Sequence, residues 1–430
     1  MARDDTRKRG VSQPVEEAEQ KPEEPSGQPV KGYFGEFGGQ EVPEALLPAL
    51  QQLEATFLEC YKDDRFQREF RTLLSDYGGR PSALYHARRL SQWVGGARIY
   101  LKREDLLNGG AHLINSAIGQ ALLAKKMGKK RLITESSSGE QGVVAAMVAA
   151  MVGLPIEIWM GQRDFDRQRR ATFRMKLLGA KIRVIPGAGW QEAISETMRD
   201  WAAQWENTYY LMCSVVGPHP YPWIIREFQR VIGDELKGQI LRKERRLPDS
   251  LIASMGGGSC AIGLFYPFVS EEFVHLVVAE PGGASYEEEA ALGQWRVGIF
   301  HGMRSLVLQD HQGNVNVRRS VAPDLCYPAI GPEHAHLRST GREERVVVRD
   351  PQALEAFRRL CQLEGIAASL ESAHALSAAF EWAKRIGVDG LIVVALTGRS
   401  EKDLEVVLRA SGSPTPAGEL RQEQTPATEQ

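Results

Sequence analysis

The sequence has little that would mark a secreted, membrane-spanning or nucleic-acid-binding protein. A formal net charge of −2 gives no electrostatic reason to expect nucleic acid or an acidic membrane as a partner. The one long apolar run, residues 143–160, is interrupted by Gly153, Pro155 and Glu157, which favours a buried helix followed by a buried strand. The cysteines form no close pair and have no metal-ligand spacing, so we predict no metal site and a cytoplasmic location. They are Cys60, Cys213, Cys260, Cys326 and Cys361.

Length and patterning indicate an α/β protein. A chain of 430 residues, 43% hydrophobic and 25% charged, can bury a large core and should divide into two domains. Residues 1–30 are charged and contain no apolar core, which is typical of neither a signal peptide nor an anchor; like 411–430, we expect them to be disordered. Strand patterns alternate with longer helical ones, which predicts two open, mainly parallel, twisted sheets covered by helices. The predicted strands are 131–134, 156–160, 181–185, 250–255, 275–279 and 391–396.

A glycine-rich turn is the clearest ligand-binding motif. Gly256, Gly257, Gly258 and Ser259 follow the predicted strand 250–255 and precede a helical pattern that begins near Ala261. Backbone amides and a helix N-terminus would converge there, where a phosphate could bind. Taken alone, however, such a run favours a tight strand-to-helix turn without a ligand.

Long strings in one order resemble the beta subunit of tryptophan synthase, a pyridoxal-phosphate enzyme of fold type II. The resemblance extends from about residue 31 to about residue 409. It implies an N-terminal domain of 31–78 plus 112–230 and a C-terminal domain of 79–111 plus 231–410. It also implies a homodimer and leaves open an alpha subunit as a partner. The matching strings are 32–40, 100–105, 119–125, 173–181, 216–222, 256–259, 280–283, 331–335 and 370–372.

One residue departs from this family at its most important position. The family has a lysine after the histidine of this loop, and here Leu113 follows His112. A leucine has no amine, so it can neither form the internal aldimine nor shuttle the alpha proton. The other lysines match family positions, and Lys102 is the first that we would examine as a replacement. We therefore predict no covalent cofactor.

The remaining cofactor positions are partly kept. The resemblance makes the glycine turn the cofactor-phosphate cup, with Cys260 in place of an asparagine donor, and places His112 on the phosphate. Thr397 supplies a hydroxyl where the family has a serine on the pyridine nitrogen. Glu371 corresponds to a glutamate near the ring, although a salt-bridged carboxylate at a helix start is an equally fair interpretation. Weak, non-covalent binding of pyridoxal phosphate or another phosphate-bearing ligand is thus predicted.

Glu135 is the predicted acid/base residue. It follows the predicted strand 131–134 and matches the family's acid/base glutamate. An apolar aromatic pocket would favour its neutral form, which suits proton transfer near neutral pH. The alternative is a glutamate that caps the following turn. The resemblance also places His301 close to the indole side as an acid/base partner, although a lone histidine is more often structural.

The loop after Glu135 has changed in charge. The resemblance assigns substrate binding to this loop, which binds the amino-acid carboxylate in the family. Glu140 replaces a neutral glutamine and would repel such a carboxylate by on the order of 1 kcal/mol if solvated. This counts against a simple amino-acid substrate. The predicted substrate-binding residues are Leu113, Ser136, Ser137, Ser138, Gly139, Glu140, Gln141 and Tyr327.

The segment that closes over the site has changed as well. A family aspartate before the Tyr327-Pro328 pair is Cys326 here, and Ala329 replaces a serine that helps bind a monovalent cation. Asp324 could compensate for the lost aspartate only if the register shifts.

Three functions remain open. The first is an enzyme that acts on an indole-like or other aromatic substrate through Glu135 without an aldimine, in specialised metabolism. The second is a catalytically silent homologue that regulates a tryptophan synthase subunit. The third is a beta-replacement enzyme that still uses pyridoxal phosphate, poorly. Retention of Glu135 beside the changed loop and lost lysine favours the first.

Overall fold

The computed structural model describes Pro29 and residues 31–187, 189–290 and 293–410. Apart from Pro29, the tails expected to be disordered, 1–30 and 411–430, lie outside these residues. The strands are β1 (Tyr33–Phe34), β2 (Phe37–Gly38), β3 (Leu84–His86), β4 (Arg98–Arg103), β5 (Arg131–Glu135), β6 (Ile156–Gly161), β7 (Lys181–Ile185), β8 (Thr208–Tyr210), β9 (Ser250–Ser254), β10 (His275–Pro281), β11 (Gln294–Phe300), β12 (Met303–Gln309), β13 (Glu343–Val348) and β14 (Leu391–Leu396).

Helices connect most of these strands. They are α1 (Leu47–Lys62), α2 (Asp64–Asp76), α3 (Arg88–Val94), α4 (Leu113–Lys126), α5 (Glu140–Val152), α6 (Gln162–Arg167), α7 (Arg169–Leu177), α8 (Trp190–Gln204), α9 (Tyr221–Gln229), α10 (Val231–Glu244), α11 (Ser259–Phe265), α12 (Tyr286–Ala290), α13 (Pro332–Ser339), α14 (Asp350–Glu364), α15 (Leu370–Ile386) and α16 (Leu404–Ala410). Short 3-10 turns occupy Glu44–Leu46, Glu104–Leu106, Tyr266–Phe268 and Pro323–Leu325. Within the described residues, none of the helices has the length and apolar character needed to cross a membrane.

Two mainly parallel sheets form the framework, as the sequence predicts. One has the order β13-β10-β9-β14-β4-β3 and is parallel except for β3, which pairs antiparallel with β4 at the edge. The other has the order β7-β6-β5-β8 and is parallel throughout. This arrangement confirms the expected α/β fold. The domain boundaries given above remain a prediction.

A third, antiparallel sheet with the order β1-β2-β12-β11 was not expected from the sequence. Its main part is the β11–β12 hairpin, in which Phe300 pairs with Met303 across a two-residue turn. Both turn residues have positive φ, 47° at His301 and 83° at Gly302, as a tight type I′ turn requires. Histidine tolerates this conformation better than most side chains, so the turn signal was present but weaker than Asn-Gly.

The six-stranded sheet is buried on both faces. Along β14, Ile392, Val394 and Leu396 belong to one hydrophobic cluster, and the alternate residues Leu391 and Val393 belong to another. A strand buried on both faces has a continuous apolar sequence, which explains why these bounds could be predicted directly.

The first residues of the helices were predicted less well than the bounds of the strands. Helix α5 begins at Glu140 rather than Val143, because Gly139 adopts a left-handed φ of 86° and turns the chain immediately before it. The helix after the glycine turn begins at Ser259 rather than near Ala261. Two helices, α9 and α10, follow each other with only Arg230 between them.

Candidate functional site

One cavity of about 180 Å³ lies where the parallel strands end. Glu135 is the last residue of β5, Ser254 ends β9, and Thr397 follows β14; all three line the cavity. Open parallel sheets bind ligands at the carboxyl ends of their strands, because the chain turns away there and leaves a crevice.

This cavity brings together every predicted site residue except one. Gly139 does not line it: an added Cβ there would lie 2.3 Å from the Cβ of Ala171, so this glycine allows the chain to turn into α5. The predicted residues that line the cavity are Glu135, His301, His112, Gly256, Gly257, Gly258, Ser259, Glu371, Thr397, Leu113, Ser136, Ser137, Ser138, Glu140, Gln141 and Tyr327.

Glu135 is held by two side-chain donors. The Tyr210 hydroxyl donates a hydrogen bond to its Oε2 at 2.5 Å, and Gln141 Nε2 donates to its Oε1 at 3.2 Å. Burial raises the pKa of Glu135, and these hydrogen bonds act in the opposite direction by stabilising the carboxylate. Burial and the nearby Glu135 raise the pKa of Tyr210 well above its usual range, so Tyr210 stays a donor. The net shift in the pKa of Glu135 is upward, which favours its neutral form.

Aromatic and apolar side chains form the wall beside Glu135. The rings of Trp190 and Tyr327 are 5.4 Å apart, and His301 Nδ1 lies 2.7 Å from the Tyr327 hydroxyl. Burial lowers the pKa of His301 to about 4, so its imidazole is neutral at neutral pH. This wall has the size and polarity that suit a flat aromatic ligand.

Sequence reasoning missed most of this wall. Tyr210 could have been found, since it ends β8, the neighbour of β5 in a parallel sheet, and the strand-end argument that singled out Glu135 applies equally to it. The others come from helix α8 and the loop after β8, and no local motif marks them. The additional apolar and aromatic lining residues are Trp190, Ile194, Met198, Tyr210, Met212 and Val216.

The glycine turn forms another side of the cavity. His112 Nε2 lies 2.9 Å from Ser259 Oγ, and its Nδ1 lies 3.3 Å from the carbonyl of Thr397. Burial lowers the pKa of His112. Gly258 needs to be glycine, because its φ is 105° and an added Cβ would lie 2.4 Å from the His334 ring. Cys260 lines the cavity with a thiol whose pKa is raised by burial, so it provides no strong donor in place of asparagine.

Among the described residues, no lysine side chain reaches the cavity. Leu113 opens α4 and lines the cavity. Lys102 Nζ instead contacts Glu235 at 2.8 Å within a buried ionic network. Lys402 lies behind the wall, where its Nζ binds both oxygens of Glu371 at 2.8 and 2.7 Å. The residues present therefore do not fit a pyridoxal phosphate held as a Schiff base.

Acidic residues occupy the remaining side. Asp324, Glu140 and Glu371 line the cavity, and Lys402 and Asp403 lie behind them. Burial raises the pKa of Glu371, but the charge and hydrogen bonds of Lys402 outweigh burial, so the net shift is downward. For Asp324, burial dominates and the pKa is raised. Glu371 is thus both a salt-bridged residue and a cavity residue.

Asp324, rather than Cys326, faces the cavity. Asp324 Oδ1 accepts a hydrogen bond from Ser137 Oγ at 3.2 Å, whereas the Cys326 thiol lies 3.7 Å from the carbonyl of Ala322 and does not line the cavity. In the part of the chain that the structure describes, no group of three or more His, Cys, Asp or Glu residues is placed to hold a metal ion.

The chain belongs to the pyridoxal-phosphate dependent enzyme family, whose family model matches residues 76–398. Its mixed α/β architecture, rich in parallel strands, is consistent with fold type II of these enzymes. The matched range includes the glycine turn and Leu113, so this member combines the family's framework with a cavity that no described lysine lines.

Proposed function

We propose that this chain is a tryptophan synthase beta-like enzyme that acts on an indole-like or other aromatic substrate by acid/base chemistry at Glu135, without an aldimine. The observation that carries the proposal is Glu135 itself, half-buried at the end of β5 and hydrogen-bonded to Tyr210, in a cavity that Leu113 lines and no described lysine lines. Lyase- or synthase-like bond chemistry in specialised metabolism would use such a group.

The elementary step is a proton transfer. Neutral Glu135 donates its proton to a carbon of the aromatic ring, which leaves a carboxylate and a cationic ring. Return of the proton restores both partners. The hydrogen bond from Tyr210 stabilises the carboxylate while the ring is charged, and the apolar wall excludes water that would compete for the proton.

Hydrogen exchange at indole tests this step without knowledge of a second substrate. In D2O, the protein should accelerate loss of the C3 proton signal of indole, measured by NMR. Glu135→Gln keeps the shape but removes the titrating proton, so the exchange rate should fall by roughly a hundredfold or more. Glu401→Gln, at an exposed carboxylate outside the cavity, is the matched control. Equal rates for Glu135→Gln and the wild type would refute the proposed role.

Weak pyridoxal-phosphate-dependent beta-replacement is the second candidate, favoured by the intact glycine turn and the His112–Ser259 contact. With added pyridoxal phosphate, we expect no aldimine band near roughly 410 nm in the wild type and a gain in Leu113→Lys. A wild-type band that borohydride fixes onto a lysine would support this candidate against our proposal.

A catalytically silent regulator is the third candidate. Phe173 and Leu177 lie one turn apart on α7 and are 66% and 76% exposed, which is typical of a surface that contacts a partner. We propose a homodimer, which light scattering at micromolar concentration would test. Co-purification with a tryptophan synthase alpha subunit, together with absence of indole exchange, would favour the regulatory role.

A further inference from the structure

The cavity lining holds four carboxyl groups and, among the described residues, no lysine or arginine. The four belong to Glu135, Glu140, Asp324 and Glu371. The histidines of the lining, His112 and His301, have pKa values lowered by burial and add no positive charge at neutral pH.

Glu140 differs from the other three carboxylates in having no partner. Glu135 is bound by Tyr210 and Gln141, Asp324 by Ser137, and Glu371 by Lys402. Among the described residues, no hydrogen bond or ion pair reaches the Glu140 carboxylate. A half-buried carboxylate without a direct partner is stabilised either by protonation or by a cation that enters the cavity.

The position of Glu140 makes a small-molecule cation the fitting partner. The carboxylate lies against Gly398, where an added Cβ would come within 2.7 Å of its Oε1, so the chain leaves room for this side chain. It shares the cavity with the aromatic wall of Trp190, Tyr210 and Tyr327. A metal ion does not account for it, because the described residues offer no group of three or more ligands. A ligand with an aromatic ring and an amine could pack its ring against this wall and pair its ammonium group with Glu140.

We infer that the substrate of this cavity is an arylalkylamine, an aromatic ring that carries an ammonium group and no carboxylate, and that Glu140 is its counter-ion. The inference rests on the proposed function, whose aromatic substrate it specifies. A carboxylate on the ligand would face Glu140, Asp324 and Glu371 and be repelled, whereas an ammonium group would be attracted by the same charges.

Binding of an ammonium group should be coupled to release of a proton from Glu140. Burial raises the pKa of Glu140 well above its usual range; Asp324, Glu371 and Asp403 raise it further, and Lys402 lowers it. The protonated form of Glu140 is therefore favoured when no cation is present. An ammonium group favours the ionised form, so its binding releases a proton and strengthens as pH rises through the pKa of Glu140.

Calorimetric titration of the full chain with three indole compounds tests the inference. Tryptamine carries the ammonium group, tryptophol replaces it with a neutral hydroxyl, and tryptophan adds a carboxylate. We expect tryptamine to bind roughly tenfold tighter than tryptophol, which corresponds to about 1.4 kcal/mol, and tighter than tryptophan. Glu140→Gln should remove this preference by weakening tryptamine alone, while Glu401→Gln should retain it.

A second measurement needs no variant. The heat of tryptamine binding to the wild type should differ between buffers of low and high ionisation enthalpy, because Glu140 releases a proton. If tryptophol binds as tightly as tryptamine, or Glu140→Gln leaves their ratio unchanged, the amine inference is wrong while the aromatic cavity stands. If none of the three compounds binds, both the inference and the proposed aromatic function fail.

Discussion

Two buried ionic clusters of this protein differ in their balance of charge. The balanced cluster joins Arg80 and Lys102 to Glu104 and Glu235: Arg80 contacts Glu104 at 2.8 Å and Glu235 at 2.7 Å, and Lys102 contacts Glu235 at 2.8 Å. None of these residues lines the cavity. Two cations face two anions, and the network ties β4 and the chain before β3 to α10.

The acidic cluster places one cation, Lys402, among Glu140, Asp324, Glu371 and Asp403, and three of these carboxylates line the cavity. The pKa values of these carboxyl groups reflect the excess of carboxyl groups over cations. Burial raises the pKa of Asp403 to about 7 and that of Glu140 well above its usual range, despite Lys402.

The pKa of Glu104 shows the opposite result. Burial acts to raise it, yet Arg80 and Lys102 bring it down to about 2. The comparison indicates that ionic groups with matched charges serve structure, and that an unmatched excess of carboxyl groups next to a cavity is available to a ligand.

The largest expected effect is loss of the balanced cluster. Arg80→Leu would leave Glu104 fully buried without its guanidinium, so the free energy of unfolding should fall by about 3–5 kcal/mol at pH 7. Urea denaturation measures this. A loss below about 1 kcal/mol would show that the network is not important for stability.

Lys402→Met should have a smaller, pH-dependent effect. It removes the only cation of the acidic cluster, and the free energy of unfolding should fall by about 2–3 kcal/mol at pH 8. Where carboxyl groups have raised folded-state pKa values, the protein loses stability as pH rises and regains it when the groups are protonated. The decrease in the free energy of unfolding caused by Lys402→Met should therefore be smaller at pH 5. Urea titrations at both pH values test this, and an equal loss at both would contradict it.

Glu140→Gln should stabilise the unliganded protein slightly. The pKa of Glu140 is raised in the folded state. The stability that its protonated form contributes is therefore complete below the unfolded-state pKa and is lost as pH rises through the folded-state pKa. Glutamine keeps the neutral form at every pH. The midpoint of thermal unfolding should therefore rise by roughly 1–3 °C at pH 8 and by less at pH 5. A lower midpoint at pH 8 would mean that the carboxylate is already compensated within the protein.

The smallest effect is expected just outside the acidic cluster. Glu401 precedes Lys402 in the chain but is exposed, so Glu401→Gln should change the free energy of unfolding by less than about 0.5 kcal/mol at either pH. Parallel urea titrations check this. A change as large as that of Lys402→Met would show that the effect is not confined to the buried groups.

Much of the fold could be predicted, because strands buried on both faces leave a continuous apolar sequence. The bounds of β14, which is buried along its whole length, follow directly from it. The hairpin of β11 and β12 was missed, since these strands have exposed positions such as Ile299 and no strong Asn-Gly turn.

Site residues with a local sequence signal were predicted better than the contacts between residues that are distant in sequence. Strand-end residues such as Glu135 and Thr397 share a recognisable local context. The orientation of Asp324 relative to Cys326 depends on a single 3-10 turn, Pro323–Leu325, and the partner of Glu371 is Lys402, which lies 31 residues away in sequence. Contacts of this kind are made by tertiary packing, and no local pattern indicates them.

The central position of β14 bears on how the protein is made. This strand lies between β9 and β4 and is the last of the described strands in chain order. Until it arrives, both neighbours have unpaired backbone edges, and the amide of His112 has no access to its acceptor, the carbonyl of Thr397 at 3.1 Å. The cavity is therefore completed only after β14 has been made, and the nascent chain must keep two open sheet edges from pairing with other chains until then.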